Sequence, residues 1–123
     1  MAGFRDLLAY KKAFSLAMRI FEVSKKFPKE ETYSLTDQIR RSSRSVTANF
    51  AEGYRKRKYP AHFVLKMTDS DAENSETSVW LGYALECKYI TKEVHTAMIQ
   101  ETVEIGRLLK DIIDNPEKYS RVL

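Results

Sequence analysis

Proline is scarce in this chain, and its three occurrences lie far apart. Pro28, Pro60 and Pro116 divide the 123 residues into long segments that contain only four glycines. Because proline and glycine most often end helices and form the turns between strands, their scarcity favours a few long helices over many short strands. The length corresponds to about one domain. We therefore expect a single all-α domain over residues 1–123.

Apolar residues recur every three or four positions within these segments, which is typical of amphipathic helices. Pro28 ends the first segment, and Pro60 fits the first turn of a helix, where a missing N–H costs nothing. Ser34 with Asp37 is predicted to cap the second helix, and Thr91 the fourth. Four helices with short connections favour an antiparallel up-down-up-down four-helix bundle. The predicted helices cover about residues 6–26, 34–56, 60–88 and 92–113.

The first predicted helix carries two apolar rows, so we expect it to touch neighbours on two sides. Its main predicted face holds Leu7, Tyr10, Phe14, Ala17, Phe21 and Ser24. The second row holds Leu16, Ile20, Val23 and Phe27.

Small and polar residues occupy the faces on which the second and third helices are predicted to meet. At about 100° per residue, one face of the second helix collects Leu35, Ile39, Ser42, Ser43, Val46, Phe50 and Gly53. The facing side of the third helix collects Phe63, Met67, Ser70, Asn74, Thr77, Leu81 and Leu85. Buried polar groups need partners, so these residues form either a hydrogen-bonded layer that sets the helix register or a ligand pocket.

A second apolar row lies on the opposite side of the third helix. A single bundle cannot bury both rows, so this one is either exposed or covered by another subunit. We expect self-association, with an interface formed by Leu65, Ala72, Val79, Trp80 and Tyr83.

Basic residues concentrate in the second helix and the turn that follows it. Residues 37–58 contain seven bases and two acids, a local charge of +5, whereas residues 69–76 contain four acids and no base. The bases are therefore either nucleic-acid contacts or partners of Asp69, Glu73 and Glu76 in the same or a neighbouring subunit. The turn is a candidate for nucleic acid because two tyrosines flank its four bases, although a solvated basic turn at a helix C-terminus fits equally well. The candidate nucleic-acid-binding residues are Arg40, Arg41, Arg44, Arg55, Lys56, Arg57 and Lys58.

Several classes of chemistry find no support in the sequence. Neither His62 nor His95 follows a glutamate by three residues, as a di-iron bundle would require, and no nucleophile elbow or phosphate-binding glycine loop occurs. We expect a non-enzymatic protein without metal or cofactor. The single cysteine, Cys87, is predicted to be a buried small hydrophobe in a reducing compartment. No apolar stretch approaches the roughly 20 residues of a membrane helix, so we expect a cytoplasmic protein without membrane contact.

Two long stretches of the sequence resemble a known bacterial family. These are "SLTDQIRRSSRSVTANFAEGYRKR", preceded by Phe27 and Pro28, and "DSDAENSETSVWLGYALECKYI". They resemble the small four-helix-bundle proteins encoded within intervening sequences of bacterial large-subunit ribosomal RNA genes, and the resemblance extends from about Phe4 to Ile113. One departure is Asp69-Ser70, where some members carry Gly-Ser.

The resemblance implies a bundle that assembles into a homopentameric ring. The family is also similar to the accessory proteins of diversity-generating retroelements, which bind nucleic acid and a reverse transcriptase. We therefore expect a homo-oligomeric bundle that binds RNA or another nucleic acid through the basic second helix, with a reverse transcriptase-type protein as a possible partner. The alternative is a protein-interaction scaffold whose arginines form ion pairs within or between subunits.

Overall fold

The computed structural model describes residues 3–119, which form four long helices and no strand. Short 3-10 turns precede the first helix, precede the second and follow the fourth. The all-α prediction is confirmed, and each helix begins and ends within two residues of its predicted boundary. The helices are α1 (Leu8–Ser24), α2 (Leu35–Arg55), α3 (Pro60–Glu86) and α4 (Lys92–Asp114).

The helices occupy the four corners of a bundle. Both α1 and α3 pack against α2 and α4, whereas no close backbone contact joins α1 to α3 within residues 3–119. Partners on α2 and α3 follow opposite chain directions, because Ser42 lies against Thr77 while Gly53 lies against Met67. The helices α2 and α3 therefore run antiparallel, and α1 and α3 stand on diagonal corners.

The core lies along the bundle axis and contains one face of every helix. All seven residues of the predicted α2 face are buried, as are six of the seven on α3, where Ala84 rather than Leu85 completes the face. The least exposed large side chains include Leu16, Ile20, Phe50 and Phe63. The α2–α3 packing faces were therefore predicted nearly completely.

The predicted main face of α1 is partly wrong. Phe14 is 50% exposed, whereas Leu16 and Ile20 of the predicted second row are buried together with Ala9 and Ala13. Alanines on the inner side let α1 approach its neighbours closely, and large aromatic rings are displaced towards the edge of the contact. The deeper row of α1 is thus the one with the smaller side chains.

The polar residues between α2 and α3 form a hydrogen-bonded layer. The hydroxyls of Ser42 and Thr77 lie 2.8 Å apart, and the Ser70 hydroxyl donates to the Val46 carbonyl at 2.7 Å. Asn74 Nδ2 donates to the Thr102 carbonyl at 2.8 Å, while its Oδ1 has no protein partner. The gap beside these groups has no room for a water molecule. Of the two predicted alternatives, the structure has the packed layer.

Among the local predictions at or near the helix ends, those for Ser34 and Cys87 are wrong. Thr91 caps α4 as predicted, with Oγ1 accepting from Val94 N at 3.1 Å. Ser34 makes no capping hydrogen bond; the preceding 3-10 turn instead brings Glu31 Oε1 to within 3.2 Å of Leu35 N. Cys87 is exposed and lies just after the last residue of α3, Glu86.

Candidate nucleic-acid interface

The three arginines in the first half of α2 lie in two different environments. Arg41 faces α3, where its Nη1 lies 3.1 Å from Glu73 Oε2 and its Nη2 donates to the Glu76 carboxylate. Its Nε also donates to Gln38 Oε1 at 3.3 Å. The predicted alternative of ion pairing with the acidic segment of α3 therefore describes Arg41, and the pairing occurs within one chain.

Arg40 and Arg44 instead lie on the α1 side of the same helix. Their guanidinium carbons are 4.8 Å and 5.6 Å from the centre of the Phe21 ring. Lys25 Nζ is 4.7 Å from the same ring centre. Arg40 Nε also donates to Ser24 Oγ at 2.7 Å. We call Phe21 with Lys25, Arg40 and Arg44 the Phe21 cluster.

The basic turn after α2 packs against the start of the chain. The Arg57 guanidinium lies 3.7 Å from the centre of the Tyr54 ring, and its Nε donates to the Tyr54 carbonyl at 2.9 Å. Phe4 lies edge-on to Tyr54 at 6.4 Å, and the Arg5 guanidinium lies 4.5 Å from the Phe4 ring centre. We call this group the basic end of the bundle: Arg5, Arg55, Lys56, Arg57 and Lys58.

Arg5 is a member of the basic end that sequence reasoning missed. It lies 50 residues before Arg55 in the chain, and Phe4 beside it packs against Tyr54 at this end. Arg55, Lys56 and Lys58 are exposed, whereas Arg57 is half-buried against Tyr54. Of the two tyrosines that flank the basic turn, Tyr54 is in contact with Arg57 and Phe4, whereas Tyr59 is 57% exposed.

Ion pairs between helices are distributed unevenly around the bundle. Lys12 pairs with Glu104 and Arg19 with Glu101 between α1 and α4. Between α2 and α3, Arg41 pairs with Glu73 and Glu76, and Lys66 pairs with Glu52. Within residues 3–119, no ion pair joins α1 to α2.

The side of α2 that faces α1 therefore carries basic residues towards both of its ends, with no base between Arg44 and Arg55. Arg44 and Arg55 are eleven residues apart, close to three helical turns, so they project from the same side of α2 at a separation of about 16 Å. The Phe21 cluster occupies one end of this side and the basic end occupies the other. We call the two groups together the α1–α2 basic face.

Two apolar surfaces lie elsewhere on the bundle. The predicted outer row of α3 is exposed, with Leu65 at 58%, Val79 at 53% and Tyr83 at 57%. Ala72 is exposed in the same row, and Trp80 is half-buried at its edge, where Nε1 donates to Glu76 Oε2 at 3.2 Å.

The second apolar surface, a groove of about 680 Å³ between α1 and α4, was not predicted. Its apolar lining includes the exposed Phe14 and Met18. The sequence feature that could have indicated this groove is the main predicted face of the first helix, which contains Phe14. That face was assigned to the core instead. The remaining apolar lining residues are Val23, Val94, Ala97 and Met98.

In the part of the chain that the structure describes, no three His, Cys, Asp or Glu side chains are grouped as a metal site requires. None of the helices there combines the length and apolar character needed to cross a bilayer.

Comparisons with known proteins agree with the geometry of the bundle. The protein resembles a solved structure from Bacteroides thetaiotaomicron, described as a protein with unknown function from the S23 ribosomal protein family. The two share 30% sequence identity and a TM-score of 0.78, over 86% of this chain and 98% of that chain. No curated protein matches the sequence. The model of the 23S rRNA-intervening sequence protein family matches residues 5–111. Because that match covers most of the 123 residues, this chain belongs to the 23S rRNA-intervening sequence protein family.

Proposed function

We propose that this protein is a non-enzymatic, self-associating helical bundle that binds RNA through the α1–α2 basic face. The observation that carries the proposal is the uneven pairing of charge. Bases between α1 and α4 and between α2 and α3 have carboxylate partners, whereas no ion pair crosses the α1–α2 seam in residues 3–119. An uncompensated basic surface attracts a polyanion.

The chemistry of this face favours contacts with the phosphate backbone. Arginine guanidinium groups bind phosphate oxygens through paired N–H donors, and such contacts carry no sequence information directly. The family to which the chain belongs is named for ribosomal RNA intervening sequences, which makes RNA the polyanion to test first. We therefore expect binding that depends strongly on salt and weakly on RNA sequence.

The direct test is to titrate the protein with a structured RNA over a series of salt concentrations. The logarithm of the binding constant should fall linearly with the logarithm of salt concentration, because each neutralised phosphate releases counterions. A double variant that removes two bases of the basic end, Arg55→Gln with Lys58→Gln, should bind more weakly and show a smaller slope. The matched control is Lys12→Gln with Lys110→Gln, which removes two charges that are already paired with Glu104 and Asp114. Absence of binding by the wild type at low salt would refute the proposal.

A protein-interaction scaffold is the second candidate, and the pairing of Arg41 with Glu73 and Glu76 favours it for that residue. Charge reversal at Arg44 separates the two functions. If Arg44→Glu leaves the assembly intact and weakens RNA binding, Arg44 is a phosphate contact. If the assembly dissociates, Arg44 is part of a subunit interface.

The positions of the two apolar surfaces support self-association. The outer row is on α3 and the groove is on α1 and α4, while α1 and α3 occupy diagonal corners of the bundle. A two-fold dimer pairs one surface with itself and leaves the other exposed, whereas head-to-tail contact covers both and can close into a ring. We therefore propose head-to-tail assembly, of which the homopentamer implied by the family resemblance is one closed form.

Two variants and their mixture test this geometry. Val79→Lys places a charge on the outer row, and Met18→Lys places one in the groove, so each should be monomeric by light scattering. In an equimolar mixture, the intact groove of the first variant can receive the intact row of the second, and assembly should stop at a heterodimer. A two-fold interface would give no heterodimer. Tyr33→Lys, at a position that is 95% exposed outside both surfaces, should assemble like the wild type.

A further inference from the structure

The Phe21 cluster brings like charges together without equivalent compensation. Three cationic groups lie within 4.7–5.6 Å of one ring centre, so they are separated by no more than about 10 Å, the screening length at 0.1 M salt. Lys25 has a carboxylate partner, Glu22 Oε2 at 3.3 Å. Arg40 and Arg44 form no ion pair within residues 3–119. Their mutual repulsion would be relieved by a bound anion.

Arg40 is held in position before any ligand binds. Its Nε donates to Ser24 Oγ, and that hydroxyl donates in turn to the Phe21 carbonyl at 3.0 Å. Ser24 is only 2% exposed, and the Phe21 ring lies beside the guanidinium. Both Nη groups of Arg40 have no acceptor among the described residues. A guanidinium that is fixed through Nε and a ring loses less side-chain entropy on binding than a free one.

The arrangement fits a phosphate group that belongs to a longer polyanion. A phosphate offers several acceptor oxygens to donors that converge from different sides, and arginine matches it with paired hydrogen bonds. Arg44 also shares its side of α2 with Arg55 of the basic end, about three turns away. One backbone that follows this side of the helix can therefore contact both groups.

We infer that the Phe21 cluster is a preformed site for one backbone phosphate of RNA, with Arg40, Arg44 and Lys25 as its donors. Arg41 has no part in the site, because Glu73 and Glu76 hold its guanidinium on the other side of α2. This inference rests on the proposed RNA-binding function and divides three neighbouring arginines into two phosphate contacts and one structural ion pair.

A matched pair of substitutions provides the test. Arg44→Gln and Arg41→Gln remove the same charge from exposed positions three residues apart on one helix. Each variant is measured for affinity to one structured RNA over a salt series. In a second arm, thermal unfolding is compared in inorganic phosphate and in chloride at equal ionic strength. Lys25→Gln is a second variant of the site, located just after α1, so it tests the site independently of substitutions in α2.

Arg44→Gln and Lys25→Gln should weaken RNA binding several-fold and lower the salt slope by about 1 each. Arg41→Gln should keep the wild-type affinity and slope while unfolding at a lower temperature. If all three variants bind RNA like the wild type, or weaken it equally, the inference is overturned and the proposed function stands.

The phosphate arm decides the case in which the wild type binds no RNA. The absence of RNA binding then refutes the RNA function, whereas stabilisation by phosphate over chloride that is lost in Arg44→Gln but kept in Arg41→Gln would support an anion site at the Phe21 cluster. If the wild type neither binds RNA nor is stabilised by phosphate over chloride, the proposed function and the inference are both overturned.

Discussion

The hydroxyl of Ser42 on α2 lies 2.8 Å from the hydroxyl of Thr77 on α3, and both side chains are almost completely buried. Thr77 also donates to the Glu73 carbonyl at 2.9 Å, and Ser42 lies 3.4 Å from the Ile39 carbonyl. Because a shift of one helix along the other would separate the two hydroxyls, the pair favours one register of α2 against α3.

Replacing Thr77 with valine should destabilise the protein by about 1 kcal/mol, because the nearly isosteric change removes a buried hydrogen bond and leaves the Ser42 hydroxyl with a weaker partner. Chemical denaturation measures this difference. Thr68→Val is the matched control on the same helix, since the Thr68 hydroxyl is exposed and bonds only to the Leu65 carbonyl. Its effect should stay within about 0.5 kcal/mol. Equal effects of the two changes would contradict the register role.

Gly53 is a point of close approach between α2 and α3. A Cβ at this position would lie 2.8 Å from Lys66 Cβ and 3.0 Å from Met67 Cε. Gly53→Ala should therefore destabilise the bundle by about 1–3 kcal/mol, despite the higher helix propensity of alanine.

Gly82 on α3 provides the control for this prediction. A Cβ at Gly82 meets no atom within 4 Å, so Gly82→Ala should raise stability by up to about 1 kcal/mol. Opposite signs for the two glycine variants in thermal unfolding are expected. A stabilising effect at both positions would show that α2 and α3 can separate without cost.

Lys88 adopts a left-handed backbone conformation, with φ of 64°, just after α3 ends. The turn is closed by Tyr89 N donating to the Ala84 carbonyl at 2.9 Å. Because glycine adopts this conformation without steric cost, Lys88→Gly should raise the free energy of unfolding by about 0.5–1 kcal/mol. Lys88→Ala, which removes the side chain but keeps the Cβ, should have little effect. A gain of the same size in both variants would indicate that the lysine side chain, not its backbone, is unfavourable.

Tyr89 links the α3–α4 connection to the start of α2. Its hydroxyl donates to Glu31 Oε2 at 2.9 Å, and this hydrogen bond to an anionic acceptor raises the pKa of Tyr89 to about 12. Since the raised pKa favours the protonated phenol in the folded state, the stabilisation is complete below pH 10 and is lost as the pH rises towards 12.

The difference between the ultraviolet absorbance titrations of the wild type and Tyr89→Phe should therefore show one tyrosine that ionises near pH 12. In Glu31→Gln the anionic acceptor is absent, so the pKa of Tyr89 should fall. A difference curve centred near pH 10 in the wild type would contradict the hydrogen bond. Thermal unfolding between pH 10 and 12 should also lose more stability in the wild type than in Tyr89→Phe.

The helix boundaries and the buried face of α2 could be predicted because both depend on local sequence. Pro60 marks the start of α3, and Thr91 supplies its hydroxyl to the residue three positions along the chain. The period of the α2 face is the period of the helix itself, so Leu35, Ile39 and Phe50 could be placed without knowledge of their neighbours.

Predictions that required distances between helices were less accurate. The sequence could not show that the smaller side chains of α1 approach the core most closely, so Phe14 was placed inside. Ser34 was predicted to cap α2 because serine is a favoured N-cap residue. In the structure, a 3-10 turn instead places Glu31 where its carboxylate accepts a hydrogen bond from Leu35 N. The order of residues in the chain does not contain these spatial relationships.

The sequence by itself determined that four amphipathic helices form, that polar residues lie on the facing sides of α2 and α3, and that basic charge concentrates in α2. Only the tertiary structure decided that Arg41 pairs with α3 while Arg40 and Arg44 gather around Phe21 of α1. The physical reason is the rotation of α2 about its axis. A 100° step between adjacent residues directs Arg40 towards α1 and Arg41 towards α3. Their contacts, Phe21 and Glu73, lie far from α2 in the sequence.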